Sequence, residues 1–131
     1  NLRHIEDEIQ KRKKVVQYYR EQLKDIKGIQ LNQAIEGIKS NYSYFPVLFH
    51  EKEFGASRND VFDALEKNDI NARKYFYPLT NTFNCFHGKF DVNQTPTALY
   101  VSKRILTLPL YADLALEEVD RICEVIRKCA K

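Results

Sequence analysis

Apolar or long side chains recur at Leu2, Ile5, Ile9, Val16, Tyr19, Leu23 and Ile26, in steps of three and four broken only at Arg12. That spacing lays them along one helix face and predicts a long amphipathic helix over residues 1–26. Lys27-Gly28 supplies its stop. Glycine takes the left-handed conformation a helix C-terminus needs, and a basic side chain suits the negative end of the dipole.

Ile29–Leu31 reads as a short extended piece and Ala34–Lys39 as a loop. Asn41–Phe49 is rich in aromatic and β-branched types, the clearest strand signal in the chain. Pro46 lacks a ladder donor, so this strand is expected at an edge or with an irregularity there. Ser57 followed by Asp60 forms an N-terminal capping pattern, and Val61, Phe62 and Leu65 continue at helical spacing, which predicts a helix over Arg58–Lys67. Beyond the Asn68-Asp69 turn, Ile70–Tyr77 reads as a strand ending at Pro78, with Ala72, Lys74 and Phe76 on one side and Arg73, Tyr75 and Tyr77 on the other.

Thr80–Gln94 is polar and aperiodic, a long loop of the kind that often carries function. Thr95-Pro96 places a cap residue and then proline at the first helical position, opening a helix through Ser102. Ile105–Leu110 follows as a short strand closed by Pro109. The last helix carries a stripe of Leu116, Val119, Ile122, Cys123 and Ile126, with acids at its start and Arg127, Lys128 and Lys131 at its end. The predicted class is therefore α+β: a small mixed or antiparallel sheet packed against helices, with a long N-terminal helix over residues 1–26 and residues 27–131 as an α/β sandwich.

A chain of 131 residues, 44% hydrophobic and 30% charged, can bury one core. It contains no Met and enters helical periodicity at once, so it is expected to be a piece of a longer protein. The net charge of +3 comes from interspersed basic and acidic residues, and the basic run Lys11–Lys14 falls on a helical pattern, which reads as a solvated face. No stretch approaches the roughly 20 apolar residues of a membrane span. Three cysteines, Cys85, Cys123 and Cys129, cannot all pair within the chain and lack zinc-site spacing; reduced thiols in a cytoplasmic protein without a metal are the expectation.

Four glycines at 28, 37, 55 and 88 are too scattered for a phosphate loop. Ser43, His50, Cys85 and His87 supply the residue types of a nucleophilic site, but no strand-turn-helix elbow surrounds a nucleophile, and they are read as surface or packing residues. His4 is read as a helix-surface residue. What stands out is aromatic and basic: Tyr42-Ser43-Tyr44-Phe45 and Arg73-Lys74-Tyr75-Phe76-Tyr77-Pro78. Such rings can stack bases on a sheet, the reading of a stand-alone nucleic-acid or protein interaction module, although the Gly-bearing aromatic octapeptide of RNA-recognition sheets is missing. Alternatively their polar ends, with Arg73, line one wall of a small-molecule cleft whose other wall lies outside this chain.

The run Ala72–Leu79, then Thr95-Pro96-Thr97-Ala98, Ser102–Tyr111 with its Leu-Pro-Leu-Tyr, and Leu116–Ile122 together closely resemble the DegT/DnrJ/StrS family of pyridoxal-phosphate-dependent sugar aminotransferases. Arg12, Tyr19 and Leu23 fit the family's long joining helix, so the resemblance spans essentially the whole chain.

The resemblance implies the C-terminal small domain of a fold-type-I enzyme of polysaccharide biosynthesis, cytoplasmic and homodimeric when full length. Such an enzyme moves an amino group from an amino acid, commonly glutamate, to a keto sugar carried on a nucleotide. Its partners would be the N-terminal cofactor-binding domain, the nucleotide sugar and the amino donor, with no nucleic acid and no membrane. The Schiff-base lysine belongs to that N-terminal domain in the family, so these residues are expected to be inactive alone, to hold no catalytic or cofactor-binding residue and to bind no pyridoxal phosphate. Arg73, Tyr75 and Tyr77 are the implied substrate-binding residues, Arg73 facing a carboxylate or phosphate. Where many relatives place a His shortly after the Tyr-Pro step, Leu79-Thr80-Asn81 stands, which leaves the sugar open.

Overall fold

The computed structural model describes residues 2–131. Asn1, at the head of the expected first helix, lies outside the described residues. A single 3-10 turn at Leu2–His4 leads into α1, Ile5–Leu23. Only the second half of α1 packs, burying Val15, Val16, Tyr19 and Leu23, while Leu2 and Ile5 stay exposed. The helix stops three residues before Ile26, in turns that Gly28 closes at φ +82°. The glycine was correctly read as punctuation, but it opens a strand rather than capping the helix directly.

Gly28 also packs directly against the segment at Phe54. A Cβ at this position would sit 2.3 Å from the backbone nitrogen of Phe54. The Gly28 carbonyl accepts the His50 N–H at 2.8 Å, so the contact cannot open without losing a hydrogen bond. Gly28→Ala is expected to cost about 2–4 kcal/mol of stability, combining left-handed backbone strain with overpacking. Chemical denaturation would read this as a lower midpoint at unchanged slope.

Three strands, β1 (Ile29–Leu31), β2 (Phe45–Phe49) and β3 (Ile105–Leu108), form an antiparallel sheet in the order β1-β2-β3. The second strand begins at Phe45, four residues later than predicted, because Asn41–Tyr44 turns toward the site instead of pairing. Pro46 lies in the central strand yet breaks no ladder. It pairs with Thr107, whose N–H and C=O both point away to Arg73, so the nitrogen of Pro46 also points away from β3. On that side β1 has already ended, since Leu31 pairs with Val47. The expected edge therefore exists locally.

A short helix absent from the sequence reading, α2 (Glu51–Phe54), ends on the left-handed Gly55. In α3 (Arg58–Lys67) the capping box forms as predicted: the Asp60 N–H donates to the Ser57 hydroxyl at 3.1 Å and the Ser57 N–H to the Asp60 carboxylate at 2.8 Å. The predicted strand Ile70–Tyr77 does not form. Only Arg73 pairs, as an isolated antiparallel bridge to Thr107, and the chain turns at Tyr75-Phe76. Tyr75 and Phe76 stack on each other at 5.1 Å instead of alternating across a sheet.

The polar loop carries three 3-10 turns, at Thr80–Thr82, Asn84–Phe86 and Val92–Gln94. Pro96 opens α4 (Pro96–Ser102), but Thr95 does not cap it, its hydroxyl donating to the Val92 carbonyl at 3.2 Å. The third strand ends at Leu108, two residues before the predicted limit. In α5 (Leu116–Cys129), Val119, Ile122, Cys123 and Ile126 are buried as expected, whereas Leu116, on the first turn, is exposed. The fold is α+β, with α1, α3 and α5 gathered with the sheet around one core.

Candidate functional site

Three segments meet at a cleft of about 300 Å³: the approach to β2, the Arg73–Tyr75 stretch, and the exit of β3 from Thr107 to Tyr111. Each is held by a specific contact. Arg73 is fixed through its backbone, its N–H donating to the Thr107 carbonyl at 2.9 Å and its carbonyl accepting the Thr107 N–H at 2.7 Å. The β3 exit is tied to α1 by the Tyr19 hydroxyl, which donates to the Pro109 carbonyl at 2.8 Å. Before β2, the Asn41 side-chain oxygen accepts both the N–H and the hydroxyl of Ser43, while the Arg12 guanidinium donates to the Asn41 carbonyl at 3.0 Å. These bonds shape a turn that presents Ser43 and Tyr44 to the cleft.

The Arg73 guanidinium donates to the Tyr75 hydroxyl at 2.6 Å. The phenol oxygen thus accepts from a cation, and its own proton is left to point elsewhere. The Tyr44 ring meets the Tyr75 ring edge-on at 6.1 Å. Asn71 and Thr107 add neutral hydrogen-bonding groups, and Tyr111 closes one rim. The lining contains one guanidinium and no carboxylate. A wall of one fixed cation, phenols and neutral donors suits an anionic, hydroxyl-rich ligand.

Arg73 and Tyr75 are thus brought together, and Tyr77 is not with them. Half-exposed, it lies off the cleft lining, with its ring 5.1 Å from the Arg58 guanidinium. Asn71, Thr107 and Tyr111 escaped the sequence reading, although a threonine inside the apolar run Ile105–Leu108 is a signal in retrospect. Arg58, directly after the cap residue Ser57, was also passed over.

The other candidates do not assemble. The two ring nitrogens of His50 meet the Tyr100 hydroxyl and the Gln30 side-chain oxygen, each at 2.7 Å, and neither engages Ser43 or Cys85. Among the described residues no group of three metal-ligating side chains occurs, and no helix is long and apolar enough to cross a membrane. Phe45 and Phe49 are fully buried in β2, so the sheet offers no aromatic platform for bases. Nor do the described residues offer an aldimine lysine for pyridoxal phosphate. No lysine lines the cleft, and among the described residues none is buried, whereas an aldimine lysine needs a desolvated pocket.

The thiols are free and of three kinds, exposed at Cys85, buried at Cys123 and intermediate at Cys129. Burial pushes the Cys123 thiol from its ordinary 9.0 up to about 12. Below pH 9 the folded and unfolded chains both keep this proton and the burial contributes fully; above it the unfolded chain ionises first, so stability falls between pH 9 and 12. Alkylation at pH 8 is accordingly expected to modify Cys85 rapidly and Cys123 only on unfolding, as peptide mapping would show.

Residues 1–127 match the DegT/DnrJ/EryC1/StrS aminotransferase family. A dTDP-4-amino-4,6-dideoxy-D-glucose transaminase of Escherichia coli is 39% identical over 127 residues, covering 95% of this chain and 34% of that protein. Its counterpart of the same name in Shigella dysenteriae is 33% identical, with 97% and 34% covered. Among solved structures, that of Spr1654 from Streptococcus pneumoniae in its PLP form superimposes with a TM-score of 0.85 at 26% identity, over 98% of this chain and 32% of that one. DesI, solved with its TDP-sugar product, shares the fold at a TM-score of 0.88 and 22% identity, over 98% and 32%. The chain spans about a third of the length of the relatives it matches. With its three-stranded antiparallel sheet, its helical cover and this match along nearly its whole length, the chain belongs to the DegT/DnrJ/EryC1/StrS aminotransferase family.

Proposed function

We propose that this chain is the C-terminal small domain of a pyridoxal-phosphate-dependent aminotransferase acting on a keto sugar attached to a nucleotide, with an amino acid such as glutamate as donor. Residues 1–26 join it to the cofactor-binding domain, and residues 27–131 close one side of the active-site cleft. The observation that carries the reading is the cleft wall itself: one guanidinium beside a phenol, with neutral amide and hydroxyl groups and no acid, on a chain of this family. In this reading Arg73 and Tyr75 meet the anionic or hydroxyl groups of the sugar nucleotide, and Tyr77 belongs to the same wall without entering the cleft. The active full-length protein is soluble, cytoplasmic and dimeric.

The cofactor is supplied with its chemistry by the rest of the protein; the present residues bind and orient substrate and shield it from water. The domain alone is inactive. Reduction of the full-length protein with borohydride in the presence of pyridoxal phosphate, followed by peptide mapping, tests this directly. The modified lysine is expected outside residues 1–131. A stoichiometric adduct on any lysine within them would refute the assignment.

A further inference from the structure

Arg58 is a buried charge with no counter-ion among the described residues. It is 4% exposed, the most polar side chain in the interior, and no carboxylate is among its partners. An isolated charge is costly to bury unless its donors are satisfied. One terminal nitrogen donates to the Ser102 carbonyl at 3.1 Å and to the Ile105 carbonyl at 3.0 Å, and Nε donates to the Asn59 side-chain oxygen at 2.9 Å. Ser102 is the last residue of α4, where helix carbonyls lack intrahelical donors, and Ile105 is the first residue of β3. The guanidinium thus binds the start of α3 to the α4–β3 junction. Its outer side lies against the Tyr77 ring at 5.1 Å.

The consequence concerns the aromatic segment. Its near end is pinned at Arg73 by the backbone bridge to Thr107 in β3. Its far end has no strand partner and leads into the long loop. Tyr77 resting on Arg58, which is itself fixed to Ile105, supplies the second anchor on that same strand. Tyr75, whose hydroxyl meets Arg73, lies between the two.

We infer that Arg58 is a positioning residue for the substrate wall: by holding the Tyr77 ring it sets the path of residues 73–77 and hence the placement of Tyr75 beside Arg73. The inference rests on the proposed function for its catalytic consequence, but not for its structural one. Lysine offers neither an Nε to reach Asn59 while its terminal nitrogen holds the two carbonyls, nor a flat face for the ring.

The test uses the full-length protein with Arg58→Met, Arg58→Lys and Tyr77→Leu. Amide hydrogen exchange over residues 76–83 is expected to quicken about threefold to fivefold in Arg58→Met and in Tyr77→Leu, the loss of a cation–π contact whose ring is half-exposed. Arg58→Lys should recover only part of the protection, while exchange in α5 stays at the wild-type rate in all three. With glutamate and a keto nucleotide sugar, KM for the sugar should rise about tenfold in Arg58→Met and Tyr77→Leu, with kcat and KM for glutamate within about twofold. If Arg58→Met speeds exchange equally throughout the molecule, or Tyr77→Leu leaves residues 76–83 as protected as in the wild type, the positioning role is wrong. Should the wild type turn over no keto nucleotide sugar, the proposed function fails, and the exchange pattern alone still decides the role of Arg58.

Discussion

Arg73→Ala in the full-length protein is expected to lower kcat/KM for the nucleotide sugar about 30-fold while leaving the folded state nearly as stable as the wild type. The two effects separate because Arg73 is held by its backbone, not by its side chain. Its N–H and C=O bridge to Thr107, and truncation leaves both bonds in place. The guanidinium is exposed and among the described residues its one hydrogen-bond partner is the Tyr75 hydroxyl, so its loss costs no more than about 0.5 kcal/mol of stability. Toward an anionic ligand the same group offers charge-assisted hydrogen bonds, each worth about 1.5–3 kcal/mol. Arg73→Lys should restore only part of the loss, because an ammonium cannot donate in a fork to Tyr75 and to the ligand together. Steady-state kinetics beside thermal denaturation would check both halves.

The largest expected effect on stability falls on Tyr19. Its side chain is wholly buried, its ring stacks on Phe45 at 4.8 Å, and its hydroxyl donates to the Pro109 carbonyl. Burial drives its phenol far above the usual range, so it remains a neutral donor at any working pH. Tyr19→Ala removes a large ring from the contact between α1 and β2 and is expected to cost about 4 kcal/mol. Against a total stability of about 5–15 kcal/mol, that threatens folding outright. Tyr19→Phe keeps the ring and strands only the carbonyl, at about 1 kcal/mol. Since Pro109 lines the cleft, Tyr19→Phe should also weaken substrate binding without touching substrate. Urea midpoints at constant slope, compared across the pair, would separate ring from hydroxyl.

The elements legible in the sequence were those whose signals are local. The Ser57-Asp60 cap, the apolar stripe of α5 and the Pro96 helix start each follow from residues within a few positions of one another. The segment Ile70–Tyr77 shows why such reading stops. Its alternation is that of a strand, yet a strand exists only where a partner offers a free edge, and β3 accepts just Arg73 through Thr107. That partner lies 34 residues away in the chain, and nothing in the alternation announces it.

The site divides in the same way. Arg73 and Tyr75 stood out as candidates because their residue types and the family resemblance coincide on one short run. Asn71, Thr107 and Tyr111 become neighbours only through the pairing of β2 with β3 and the bridge beyond it. Arg58 has no sequence signal at all, since an arginine after an N-cap is ordinarily a solvated residue, and only the fold encloses it.

The central claim is that this domain furnishes the substrate wall of a nucleotide-sugar aminotransferase. The most direct measurement incubates the full-length protein with pyridoxal phosphate, nitrogen-15 glutamate and a panel of keto nucleotide sugars, and follows the label by mass spectrometry. The account predicts nitrogen-15 in an amino nucleotide sugar, formed in equal amount with 2-oxoglutarate and sharply reduced by Arg73→Ala. Label that never leaves glutamate with any member of the panel, or transfer that Arg73→Ala leaves at the wild-type rate, would contradict it.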